Sequence, residues 1–230
     1  FMDHLGMCIH GRTKLHGSWS AMSSVAIQIG EDVLEVHGED LPLFNGAEMS
    51  IPSMADGTEY AFSSSLGGYS LTIQRNGPHS RRFIIHLGDG ERIFINNFKE
   101  FVDMDVQSPR AAEFAGSVGM LGSWTNGEMV GRDDMTVMSD ADAFGQEWQV
   151  RPGIDPQLFS VTDGPQYPAN CNMPQKFTSE QRHLRAMSKK VSEDEAKKAC
   201  AKAPASKMVN CVADVFGSDN LEMAGIYIFQ

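Results

Sequence analysis

From residue 7 to about residue 106 apolar and polar positions alternate with a period of two, as in Ser24-Val25-Ala26-Ile27-Gln28-Ile29, Ser70-Leu71-Thr72-Ile73-Gln74 and Arg92-Ile93-Phe94-Ile95-Asn96. Successive side chains of a strand face opposite sides of its sheet, so this period predicts strands buried on one face. Turn residues break the runs at the spacing of antiparallel neighbours: Gly30-Glu31-Asp32, Asn45-Gly46, Asp56-Gly57, Asn76-Gly77-Pro78 and Gly88-Asp89-Gly90. The clearest hairpin folds Arg82-Phe83-Ile84-Ile85-His86-Leu87 back on Glu91-Arg92-Ile93-Phe94-Ile95. The reading is a mainly β protein, a twisted antiparallel β-sandwich. Val25, Ile27, Ile29, Leu71, Ile73, Phe83, Ile85, Ile93, Ile95 and the later Trp148 are expected in its core.

Past residue 151 the pattern changes. Between Pro152 and Pro174 the text is rich in Pro, Gly, Asp and Asn with few periodic apolar residues, which predicts an extended linker over the sandwich surface. Three capping-box patterns follow, Thr178-Ser179-Glu180-Gln181, Ser192-Glu193-Asp194-Glu195 and Asp219-Asn220-Leu221-Glu222, predicting three or four short helices. The expected division is therefore 1–151 sandwich, 152–177 linker packed on it, and 178–230 a small helical unit.

Composition narrows the class. At 230 residues and 41% hydrophobic the chain is long enough to bury a sizeable core. With 19 Lys+Arg against 30 Asp+Glu its net charge is -11, and such a surface repels phosphate backbones, so nucleic acid is not an expected partner. No apolar run approaches the roughly 20 residues that span a bilayer. Phe1 is not a translation start, so a secretory signal would lie upstream. There is no Asn-x-Ser/Thr sequon, and none of the four cysteines stands in a Cys-x-x-Cys pair.

The search for catalytic chemistry returns little. His10, His37 and His86 fall in predicted strands and His4, His16, His79 and His183 in loops or helices, with no His-x-His, His-x-x-x-His or His-Glu-x-x-His spacing. Ser18 in Gly17-Ser18-Trp19-Ser20 lacks the second glycine of a nucleophile elbow. Cys8 and His10, two apart on a predicted strand, are expected to meet on one face of the sheet, with Cys8 buried or bonded rather than a thiolate. Ser65-Leu66-Gly67-Gly68 and Leu87-Gly88-Asp89-Gly90 read as turns, because no helix start follows them. Trp19 and Trp124 read as half-buried at loop bases rather than as a sugar platform. The acidic 126–134 loop is the candidate for an ion: Asn126, Glu128, Asp133 and Asp134 offer the oxygens a hard cation such as calcium needs. The alternative is a solvated turn held by hydrogen bonds to the Asp133 side chain.

The 113–151 stretch resembles the C-terminal half of a von Willebrand factor type D domain. The resemblance rests on the turn Gly119-Met120-Leu121-Gly122, the polar loop with Asn126-Gly127 and Asp133-Asp134, and the ending Phe144-Gly145-Gln146-Glu147-Trp148-Gln149-Val150. Upstream, Ile9-His10-Gly11-Arg12-Thr13-Lys14 before Val33-Leu34-Glu35-Val36, with Phe44-Asn45-Gly46, is similar to the family's middle strands. Cys200 and Cys211-Val212-Ala213-Asp214-Val215 look like the Cys-bearing helices that follow such domains. The family's opening Gly-Asp-Pro-His strand is missing from the text. Leu121 stands where the family turn carries a cysteine, and Ser123 where an Asn ligand is common.

The resemblance implies an extracellular or cell-surface, non-enzymatic structural or adhesive module that binds proteins or its own kind in a matrix, cell wall or filament. It implies shaping roles for Gly119, Gly122, Gly145 and Trp148, and no cofactor other than a possible calcium. Cys171, Cys200 and Cys211 would staple the helical end. Cys200 and Cys211, near the ends of two predicted helices joined at Pro204, are the expected disulfide. Cys8 and Cys171 are left to pair with each other, or Cys171 with a cysteine upstream. A calcium-dependent recognition domain for glycans or protein is the alternative, and an enzyme the more distant one.

Overall fold

The computed structural model describes residues 2–4, 6–16, 19–88, 90–108, 114–160, 178 and 188–228. The chain divides into two compact units, one of Phe1–Thr13 with Met22–Cys171 and one of Lys14–Ala21 with Asn172–Gln230. The helical unit thus includes Lys14–Ala21, which the sequence places in the sandwich.

Strands run, in chain order, β1 (Met2–His4), β2 (Met7–His16), β3 (Trp19–Ile29), β4 (Asp32–His37), β5 (Leu43–Phe44), β6 (Ala47–Glu48), β7 (Glu59–Ala61), β8 (Ser70–Arg75), β9 (Ser80–Gly88), β10 (Glu91–Phe98), β11 (Phe101–Gln107) and β12 (Val118–Gly119). One sheet has the order β12-β1-β2-β3-β4-β5-β6 and the other β11-β10-β9-β8-β7. The pairs with described register are antiparallel, and β9 meets β10 as the expected hairpin, with a register shift between Glu91 and Arg92. His4 and His16 end strands rather than lying in loops, and His4 pairs with Met7 of β2.

The two inner faces share one core. Val25, Ile27 and Ile29 of β3 and Leu34 and Val36 of β4 pack with Leu71 and Ile73 of β8, Phe83 and Ile85 of β9, and Ile93 and Ile95 of β10. Each lies at the inward position of its period-two run, so the alternation that selects strands also selects the core. Gly67 admits the closest approach at the sandwich rim: a Cβ there would stand 2.5 Å from Ile29 Cγ2, and its φ is +58°. Asp32 fixes this turn by accepting from Gly67 N at 2.9 Å.

After β12 comes α1 (Ala141–Glu147), capped by Asp140, whose side chain accepts from Ala143 N. In the second unit α2 (Glu193–Ala199) begins with the expected capping box of Ser192 and Glu195, and α3 is Met208–Ser218. The last pattern works differently from the expectation. Asn220, not Asp219, caps a 3-10 helix over Leu221–Ile226. Asp219 is left-handed at φ +57° and accepts from Lys190 N at 2.8 Å and Val191 N at 2.7 Å, tying the entry of α2 to the end of α3. The box at Thr178 and the bonding of Cys171 lie outside the described residues. Cys200 and Cys211 are bonded, with Cα atoms 5.9 Å apart and both side chains buried.

Candidate functional site in the closing segment

The stretch that carries the family resemblance folds as the closing segment of the sandwich unit. At its start, Gly122 N donates to Gly119 O at 2.8 Å, and a Cβ on Gly122 would lie 2.9 Å from Gly127 O and 3.0 Å from Glu128 O. With φ at +85° as well, this position requires glycine. Gly119 is buried in β12 and pairs with Met2. Leu121, where the family turn has its cysteine, is 71% exposed.

A short hairpin follows, with Val130 bridged to Val137. Its tip is made by Asp133, whose carboxylate accepts from Met135 N at 3.0 Å, Thr136 N at 2.8 Å and the Thr136 hydroxyl. Those donors, the Thr136 hydroxyl first, hold the Asp133 pKa down at about 2. Asn126 and Glu128 bond each other, Nδ2 to Oε2 at 2.7 Å. Asp134 lies in the same turn at φ +58° and donates its N–H to Gly131 O at 3.1 Å. The four residues expected to gather round calcium are thus engaged in two separate local turns. Among the described residues no group of three His, Cys, Asp or Glu side chains converges as a metal site. The geometry is that of a hydrogen-bonded turn and does not fit a calcium cage.

Of the residues that hold the segment together, the sequence marks Trp148 but not the part played by Arg132, Arg151 and Asp155. Arg132 donates from Nη1 to Asp155 at 2.9 Å, from Nη2 to Gln149 O at 2.7 Å and from Nε to Glu147 O. Its guanidinium also lies over the Trp148 ring, 5.3 Å from the centroid. Trp148 is 3% exposed and donates its indole N–H to Val130 O at 2.9 Å. Arg151 completes the arrangement with Nε and Nη2 on Asp155 at 3.1 and 3.0 Å. Asp155 therefore bolts hairpin, helix end and linker, and these bonds, Arg151's first, hold its carboxyl far below the usual carboxylate range. Arg132, which would have repelled an ion in the loop, is turned onto a carboxylate instead. Gly145 contributes no comparable constraint: a Cβ there meets only Met120 Cε, at 3.8 Å.

The described part of the segment after the helix, to residue 160, runs over the outer face of the first sheet. Leu158 packs with Cys8 and Ala26, and Phe159 lies under the Arg12 guanidinium, 4.2 Å from ring centroid to Cζ. Ser160 N donates to both carboxylate oxygens of Glu35 at 3.2 Å, and Glu35 Oε2 is 3.2 Å from His37 Nε2. His37 Nδ1 is in turn 3.2 Å from Ser24 Oγ. Ser24, His37 and Glu35 stand in the order of a hydrolytic triad, yet Ser24 is 6% exposed and Phe159 covers His37 at 5.8 Å between centroids. What the row does is anchor the linker. The buried Glu35 side chain has partners on both sides, Ser160 N and His37 Nε2.

Cys8 and His10 do share this face, with Sγ 3.4 Å from Nε2. Burial lowers the His10 pKa to about 4, so the ring is neutral and supplies no imidazolium to stabilise a thiolate. The signal for this anchor is polar residues at Ser24, Glu35 and His37 on the outward parity of strands. That signal alone reads as solvated surface until the covering segment is placed. No protein-family model matches the chain, and no curated protein matches it in sequence. No helix among the described residues is long and apolar enough to cross a membrane.

Proposed function

We propose that this chain is the main part of a von Willebrand type D-like sandwich with a disulfide-stapled helical appendage. It serves as a non-enzymatic structural or adhesive module of an extracellular or cell-surface assembly. The observation that carries the reading is local. The residues that gave the resemblance, Gly119, Gly122 and the run from Phe144 to Trp148, fold into one closing segment, with Gly122 pressed on the Gly127–Glu128 backbone and Trp148 buried against Val130. The Cys200–Cys211 bond supports an oxidising compartment, where such bonds persist. Its partners are other proteins or further copies of itself.

The test is fractionation of the producing cells, followed by peptide mapping without reductant. Recovery from the medium or cell surface with Cys200 bonded to Cys211 is expected. Recovery from cytosol with both as thiols overturns the proposal. A calcium-dependent recognition loop would raise the melting midpoint in calcium over chelator by mass action. With Asp133 already satisfied by its own turn, the expected midpoint is the same in both.

A further inference from the structure

Away from the closing segment, a cleft of about 160 Å³ opens where β8 and β9 leave the core. Leu41, Ile51 and Pro52 give it apolar walls, Ile73 lies buried beneath its floor, and Ser53, Arg75 and Arg81 line it with polar groups. The β8–β9 register sets these two arginines directly opposite each other. Like charges so placed destabilise a strand pair unless something compensates them. Arg75 is compensated: its Nε lies 3.2 Å from Asp56 Oδ1, and its Nη1 donates to Met54 O at 2.8 Å. Arg81 differs. Its backbone is fixed, with N donating to Asn97 Oδ1 at 3.1 Å, but among the described residues its guanidinium meets no carboxylate or other acceptor. In a chain with 30 acidic and 19 basic residues a neutralising carboxylate is easily supplied, so a half-buried guanidinium left open to a cleft is an unusual choice.

We propose that this cleft binds a small carboxylate with a short branched or aliphatic body. The Arg81 fork takes the carboxylate through two parallel N–H···O bonds, which a planar guanidinium offers and an ammonium does not. The body lies on Leu41, Ile51 and Pro52, beside the polar surface of Ser53 and the two arginines, so only a short apolar group is accommodated. A cavity of about 150 Å³ accommodates benzene, so the buried body has about six heavy atoms. Two sources present this chemistry, a free aliphatic acid and the C-terminal residue of a peptide. The site is independent of the adhesive reading above.

The test titrates the whole chain, followed by amide NMR shifts, with three probes: isovalerate, a tripeptide ending in leucine, and the same tripeptide amidated at its C-terminus. Saturable shifts at Arg81 and Ile73 with either carboxylate, and none with the amide, are expected. Isovalerate alone identifies the free acid as the ligand, and the peptide alone identifies the chain terminus. Arg81→Gln should weaken binding by about tenfold or more, and Arg81→Lys, which keeps the charge without the fork, should fall between. An unchanged melting midpoint in both variants shows that the fold survives. Equal binding of acid and amide, equal binding by wild type and Arg81→Gln, or no shift at 20 mM of either carboxylate overturns the proposal.

Discussion

The sandwich unit and the helical unit stand at opposite ends of how a chain holds its shape. In the sandwich, branched and aromatic side chains of two sheets meet in a continuous core, with Ile27, Ile73, Phe83, Ile85, Ile93 and Ile95 at 0–1% exposure. The helical unit buries smaller groups, Val191, Ala196, Ala203, Val215, Ala224 and Ile226 with Met223, around two bonded sulfurs. Burial yields about 25 cal/mol per Å² of apolar surface, so side chains of this size supply little, and the helices depend on a crosslink and on caps such as Ser192 and Asp219. A large core tolerates loss of any one cap, whereas a small one does not.

This contrast breaks if a core deletion costs no more than the crosslink. Ile85→Ala should destabilise the sandwich by about 3–4 kcal/mol, read from urea unfolding followed at sandwich tryptophans, because neighbours packed from both sheets leave a cavity. Replacing Cys200 and Cys211 together by Ser should cost about 2–3 kcal/mol, the chain-entropy value for a bond between residues 11 apart. That loss should appear in helical ellipticity and leave the sandwich transition in place.

Acid should separate the units further. His10 has its pKa lowered from 6.5 to about 4 on folding, so the unfolded chain binds the proton first and sandwich stability falls as pH drops from about 6.5 to 4. The loss is on the order of 2 kcal/mol, and His10→Gln should flatten it. Asp155, also lowered, acts below that window, where its bonds to Arg132 and Arg151 are lost as the carboxyl protonates. A slope that survives His10→Gln between pH 6.5 and 4 would move the acid sensitivity to another group. The smallest effect has the opposite sign. Gly145→Ala, with only Met120 Cε at 3.8 Å to accommodate, should stabilise α1 by about 0.5–1 kcal/mol in thermal melts.

What the sequence discloses follows how far each interaction reaches along the chain. The core residues show in a period of two because the strand itself sets the facing. The Asp133 turn shows because its donors are two and three residues on, at Met135 and Thr136. Cys200 and Cys211 show because the helices that carry them are neighbours. Arg132 with Asp155 is already out of reach, its partner lying 23 residues away across a turn and a helix. Glu35 is further still. Nothing near Glu35 announces that Ser160 will cover it, so an outward Glu-x-His pair reads as surface. Gly145 misleads in the other direction, since a motif glycine suggests a close approach that the helix does not make.

The bond between Ser160 and Glu35 joins positions 125 residues apart, which sets an order of events at the ribosome. At about 5–20 residues per second, the outer face of β2, β3 and β4 waits about 6–25 s for its cover after Glu35 has emerged. During that interval a row of Val or Ile would offer a sticky half-sheet to every other nascent chain. Ser24, Glu35, His37 and Arg12 instead keep the face wet until Phe159 and Ser160 arrive, so the polar row that later anchors the linker first protects the unfinished sheet.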